Sequence, residues 1–408
     1  MFKGGKILVL EAHKTQSGAP RNFTAKSLPD FCIFTSTVTV KLQILIMAPT
    51  AVYPQHPPIF SKMAPSVATT EIDSATPQPQ PDPIPPLRAA LISEKTPLAV
   101  RFRALFSLKH HASEHPTTPH TIPAIHAIAA ALSSPSALLK HELAYCLGQT
   151  QNLASVPFLR RVLEDRGEDE MCRHEAAEAL GALGDWESLD LLRQLLDESD
   201  EAEVVRETCE IAVGRIEWEH SDQRKAEIIR DSDFTSIDPA PSLAQETQQP
   251  SIPELQEKLL DTRLPLFDRY RAMFALRDLS SPPDLPTAVP AVKALASGFA
   301  DPSALFRHEV AFVFGQLSHP ASIPSLIETL SNSKEEIMVR HEAAEALGSL
   351  GDEEGVENIL RGFLDDPEQV VRESVVVALD MAEFEKNSEI EYAVLLEEQG
   401  FSPLTRLK

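Results

Sequence analysis

Positive charge is scarce in this chain. Among its 408 residues, 37 Lys and Arg stand against 61 Asp and Glu, a formal net charge of −24 at pH 7. So acidic a surface repels phosphate backbones, which argues against nucleic acid as a partner and for a basic protein or a cationic ligand. Aromatic residues amount to only 6%, whereas Ala, Leu and Glu abound, a balance that favours helices over sheets. The four cysteines, Cys32, Cys146, Cys172 and Cys209, make no C-x-x-C pair. This excludes a zinc ribbon and a dithiol redox motif. So few thiols fit a reducing compartment, and the cytoplasm is the expected location, with the nucleus as a second one. A membrane-spanning run is also lacking: the apolar stretch 31–47 is interrupted by Lys41, rich in Thr and too short to cross a bilayer.

Composition divides the chain. Residues 1–46 hold six basic and two acidic residues, a net of +4, so residues 47–408 carry −28. No small-residue cleavage site follows an early apolar core, as a signal peptide requires. Met47 opens MAPTAVYP, which reads like an ordinary protein start, so residues 1–46 read as an upstream extension of the reading frame. Residues 49–86 are dense in Pro, Ser, Thr and Gln, a composition unable to build a packed core. The expectation is a disordered N-terminal extension over 1–86, compact halves over 87–218 and 254–386, a flexible acidic linker over 219–253, and a tail over 387–408.

The two compact stretches repeat each other. HEAAEALGALGD at 174–185 and HEAAEALGSLGD at 341–352 agree at 11 of 12 positions. Upstream, HELAYCLGQ begins at His141 and HEVAFVFGQ at His308, both pairs at an offset of 167 (341 − 174 and 308 − 141). RFRALFSL at Arg101 answers RYRAMFAL at Arg269, and VVRET at Val204 answers VVRES at Val370. Within each half the histidines lie 33 residues apart (174 − 141 and 341 − 308). Apolar residues recur at helical spacing, Pro157 and Pro324 suit a first helical turn, and Gly184-Asp185 and Gly351-Asp352 suit stops. A period near 33 with two helices per repeat fits HEAT-type arrays better than tetratricopeptides. The fold expected is all-α, a HEAT-like α-solenoid of two four-repeat halves related by pseudo-two-fold symmetry.

Duplication also sorts the polar residues. Of 13 histidines only His141, His174, His308 and His341 have a histidine opposite them, and each precedes a glutamate: Glu142, Glu175, Glu309 and Glu342. Cys146, Cys172 and Cys209 correspond to Val313, Val339 and Val375, so they serve as packing. A single His-Glu pair at a helix start is usually an exposed pair in which the glutamate favours the positive helix end. Four of them, in register, point to a site. Imidazoles on neighbouring helices can converge, since such helices pack about 8–10 Å apart. The donors are nitrogen and oxygen only, the two-His, one-carboxylate pattern that leaves iron(II) open to dioxygen. Zinc accepts the same donors, but H-E-x-x-H is not met, because HEAAE puts Glu178 where a second His would stand. Glu178 and Glu345 read as solvated or supporting residues.

With four His-Glu dyads on two sets of HEAT-like repeats, residues 87–386 resemble the deoxyhypusine hydroxylase family. The resemblance implies a non-haem di-iron monooxygenase, with two Fe(2+) per chain and O2 as co-substrate. It would hydroxylate the aminobutyl arm of deoxyhypusine on translation initiation factor five-A, giving hypusine. It carries iron binding to His141, His174, His308 and His341 and iron association to Glu175 and Glu342. Glu142 and Glu309 match the same motif, either as ligands or as carboxylates steering the substrate amine. A monomer without nucleic-acid or membrane partners is expected. Two alternatives stay open at this point, a bilin-lyase-like relative and a non-catalytic HEAT scaffold for a basic helix.

Overall fold

The computed structural model describes residues 82–229, 233–243 and 250–387. The readings made for 1–81, including the upstream extension, and for 388–408 lie outside these residues. Among the described residues all regular structure is helical. Helix pairs follow one another: α1 (Ile84–Ile92) with α2 (Leu98–Ala112), α3 (Thr121–Ala130) with α4 (Ala137–Gly148), α5 (Val156–Glu164) with α6 (Glu170–Ala182), and α7 (Leu189–Asp197) with α8 (Glu203–Glu219). After the short α9 (Asp222–Ala226) the pattern resumes with α10 (Ile252–Leu260) and α11 (Leu266–Asp278), then α12 (Ala288–Ala296) and α13 (Ala304–Leu317). The last two pairs are α14 (Ile323–Ser331) with α15 (Ile337–Gly348) and α16 (Val356–Arg361) with α17 (Gln369–Asn387).

Local sequence explains where these helices begin. The Ser136 and Ser303 hydroxyls accept from the backbone N–H of Leu139 and Phe306, and Asp169 accepts from Met171, each satisfying a donor that the first turn leaves free. Pro157 and Pro324 stand in the first turns of α5 and α14, where a missing N–H does no harm. Between helices of a pair one device recurs. Arg101, Arg173, Arg269 and Arg340 each donate from Nε to the carbonyl of Leu91, Leu163, Leu259 and Leu330, on the last turn of the preceding helix.

The second helices of the pairs make the inner layer. Each touches the next through both halves, α8 touches α11, and α17 returns to α2, so the contacts form a closed circuit. Counterpart hydrogen bonds fasten its two seams: the Ser136 hydroxyl donates to Glu373 and the Ser303 hydroxyl to Glu207, both at 2.7 Å. Spacing within a half is set by small residues. A Cβ on Gly148 would stand 2.7 Å from that of Ala179, which holds α4 and α6 at close approach. Part of the stretch read as a linker is built into this body. Phe234 and Ala240 are buried, and residues 233–243 are hydrogen-bonded to both halves. No helix among the described residues is long and apolar enough to cross a membrane.

Candidate metal centre

Each dyad histidine is the fifth residue of its helix, on α4, α6, α13 and α15, one turn in rather than at the start. That places the side chains inside the circuit, where all eight dyad residues are buried. His141 lies with its ring centroid 5.4 Å from that of His174, 5.8 Å from His308 and 5.2 Å from His341. His308 lies 5.5 Å from His174 and 5.3 Å from His341. The rings therefore cluster across the halves as closely as within them. Donor atoms of His141, His174 and His308 all fall within 4.8 Å of one another, as do those of His308, His341 and Glu342.

None of the eight ring nitrogens has a hydrogen-bond partner, and Glu309 Oε1 is likewise unpartnered. Carboxylates stand close by: Glu175 lies 3.2 Å from His141 Nε2 and Glu342 lies 3.5 Å from His308 Nε2. These contacts lack hydrogen-bond alignment. Leaving one buried polar atom unsatisfied costs about 1–3 kcal/mol, and each neutral imidazole has one lone pair to offer, so four such rings at a single point are tolerable only if something else takes up those lone pairs. Nitrogen lone pairs and carboxylates converging without protein partners form a donor set for one or more divalent cations.

Titration behaviour agrees with that reading. Burial and the mutual repulsion of the rings push His174, His308 and His341 well below the usual imidazole range, so they are neutral donors. Burial opposes charge on His141 too, but Glu175 and Glu142 outweigh it and raise its value. Burial and neighbouring carboxylates raise Glu142, Glu309 and Glu342, and burial lifts Glu345 to about 7. A cation entering among these carboxylates offsets the energy of keeping them ionised.

A narrow cavity of about 60 Å³ reaches the cluster. His141 and His308 line it with Glu142, Glu175, Glu309 and Glu342, while His174 and His341 do not. Four further liners were not singled out from sequence as site residues: Tyr145, Glu178, Phe312 and Glu345. Each sits four residues after a dyad histidine, one turn along the same helix face, and that spacing was a usable signal. Glu178 and Glu345 thus face the cavity instead of bulk solvent; the Ser374 hydroxyl donates to Glu345 at 3.0 Å. Phe102 and Phe106 of α2 and Val377 and Met381 of α17 complete the wall. The three described cysteines are buried with thiols pushed up by burial, Cys209 to about 12, as expected for packing residues.

Comparison with known proteins accords with the fold. A model of HEAT repeats matches residues 122–214 and 292–380. Deoxyhypusine hydroxylase of Phaeosphaeria nodorum is 70% identical over 319 residues, 78% of this chain and 97% of that protein. The Aspergillus fumigatus protein of that name is 67% identical over 334 residues, 82% of this chain and 98% of its own length. Among solved structures, human deoxyhypusine hydroxylase in complex with glycerol aligns with a TM-score of 0.64 at 45% identity, covering 74% of this chain and 96% of that one.

Proposed function

The chain belongs to the deoxyhypusine hydroxylase family, and we propose that it works as a deoxyhypusine monooxygenase through two iron(II) ions held by the four dyads. The observation that carries this reading is the set of eight buried imidazole nitrogens without partners. His141, His174, His308 and His341 would hold the metal, with Glu175 and Glu342 completing a two-His, one-carboxylate set in each half. Bound iron supplies dioxygen activation, so that one oxygen atom enters a C–H bond of the substrate arm while an external two-electron reductant and two protons carry the other to water.

The protein's residues do the rest. The substrate is the deoxyhypusine side chain of translation initiation factor five-A, a slender aliphatic arm bearing amines. A narrow cavity walled by Phe102, Phe106, Val377 and Met381 suits its methylenes. Glu142 and Glu309 face the cavity and offset the desolvation of a protonated amine there. The aromatic walls keep bulk water from the reacting carbon. A chain of net charge −24 favours approach of a lysine-bearing basic loop. We place this reaction in the cytoplasm and assign it to a monomer.

Iron content and hydroxylation of deoxyhypusine-bearing factor, measured on one preparation purified under air, test the reading. Two irons per chain and product formation are expected. Protein that holds one tight zinc, takes up no iron and yields no hypusine overturns it.

A further inference from the structure

Duplication gives the buried cluster two equivalent flanks, and only one of them lines the cavity. On that flank stand Phe102, Phe106, Val377 and Met381. Their counterparts across the pseudo-two-fold are Tyr270, Phe274, Ile211 and Arg215, and none of these lines it. Chain that has no copy among the described residues of the open flank packs against this second one. Arg215, which replaces Met381, donates to the backbone carbonyl of Asp238 at 3.0 Å. Arg271 donates to Glu227 at 2.7 Å, whereas its counterpart Arg103 reaches Asp380 of α17 at 2.9 Å.

The same segment is clamped from both halves. Gln149 exchanges two hydrogen bonds with the backbone of Ile237, at 2.8 and 3.0 Å. Its counterpart Gln316 donates to the Ser236 hydroxyl at 2.8 Å. The Asp238 carboxylate lies 2.8 Å from the Arg277 guanidinium, and Phe234 stacks on that guanidinium at 4.3 Å.

We infer that residues 233–243 close the second of two approaches created by the duplication, so that substrate enters along α2 and α17 alone. The segment thereby turns a nearly symmetric metal cage into a site with one direction of entry. This rests on the proposed cavity as the substrate's route, so the test reads access without iron or turnover. In metal-free full-length protein, Cys32→Ser, Cys146→Val, Cys172→Val and Cys209→Val remove the native thiols; the last three introduce the residues found at the counterpart positions. Either Val377→Cys or Ile211→Cys is then added, one on each flank, and labelled with a small cationic methanethiosulfonate. Val377→Cys should react at least ten times faster. Adding Asp238→Ala with Gln149→Ala should accelerate labelling at Ile211→Cys about tenfold and leave Val377→Cys unchanged; Gln316→Ala is the second loosening variant. Equal rates in the clamped chain, or no acceleration after loosening, overturn the inference. A rise at both positions together also overturns it, since the segment would then hold the whole body rather than one flank. Loss of iron binding with these rates intact would instead strike the proposed function and leave the closure standing.

Discussion

The rings of Tyr145 and Phe312 meet edge to face, their centroids 6.0 Å apart and their planes at 68°. They are counterparts in the duplication, and two counterparts can touch only near the axis that relates them. His141 and His308, also in contact, lie one turn away on the same helices. The candidate metal centre therefore straddles the pseudo-two-fold, and both halves contribute to it. Edge-to-face pairs contribute about 1 kcal/mol beyond area burial. A double-mutant cycle of Tyr145→Leu and Phe312→Leu in urea unfolding should return a coupling of roughly that size, and additive effects would show that the halves are not joined there.

Ligands and substrate-facing carboxylates should separate on mutation. Alanine at His141, His174, His308 or His341 removes a neutral donor that no neighbour replaces, so bound iron should fall to one equivalent or less. Glu175→Ala and Glu342→Ala should behave alike. Glu142→Ala and Glu309→Ala should retain most iron and weaken binding of the cationic arm. Elemental analysis and substrate binding on all eight variants decide this; wild-type iron in the histidine variants would remove the dyads from the site.

A shared centre also predicts how fragments behave. Residues 82–218 and 250–387, expressed apart, should each bind iron poorly, and mixing them should restore binding only at high concentration, because the connecting chain supplies effective concentration and its residues 233–243 bond to both halves. Full iron loading of either fragment alone would rule out a centre built from both.

Close approach of α4 and α6 sets the distance between His141 and His174. Gly148→Ala introduces a Cβ against that of Ala179, and such overpacking costs about 1–3 kcal/mol. Iron affinity should drop with stability, and Ala179→Gly in the same chain should recover only part of either, because the new Cβ would still stand 2.8 Å from the Ala179 Cα. Unchanged melting and iron titration in Gly148→Ala would mean that the spacing is set elsewhere.

Arg173 holds Glu201 in a buried bidentate pair at 2.6 and 2.7 Å. Although burial acts the other way, these bonds keep the Glu201 carboxyl below its ordinary range. A depressed folded value means that the stabilisation is present above the unfolded pKa and fades as pH falls through the folded one. Arg173→Ala removes the bidentate partner but leaves Arg166 3.0 Å from the carboxylate and the Ala202 N–H donating to it at 2.9 Å, so it should cost about 1–3 kcal/mol at pH 7. The gap between wild type and variant in urea unfolding should narrow below about pH 4.

Most of the helical plan was legible because each repeat states it locally, through helical apolar spacing, Pro157 and Pro324 in first turns and the 33-residue histidine period. The dyads were legible because duplication preserved His141, His174, His308 and His341 while exchanging Cys146 for Val313. What periodicity could not reveal was everything outside the repeat. Residues 233–243 have no copy among the described residues, and their Pro-, Ser- and Asp-rich composition reads as linker; Gln149, Arg215, Arg277 and Gln316 converging on them give them a place. Glu178 and Glu345 were visible as letters, but whether they meet solvent or the cavity depends on the way the two halves meet.

That meeting has a mechanical consequence. An open helical array has two loose ends, where fraying begins at little expense and spreads inward repeat by repeat. With Ser136 tied to Glu373 and Ser303 to Glu207, the inner layer behaves like a barrel hoop, in which slack at either joint is felt by every stave. Trimming the final helix would not shorten such an assembly by one unit but spring it open, and the four imidazoles at its middle would lose their common focus at the first give of either seam.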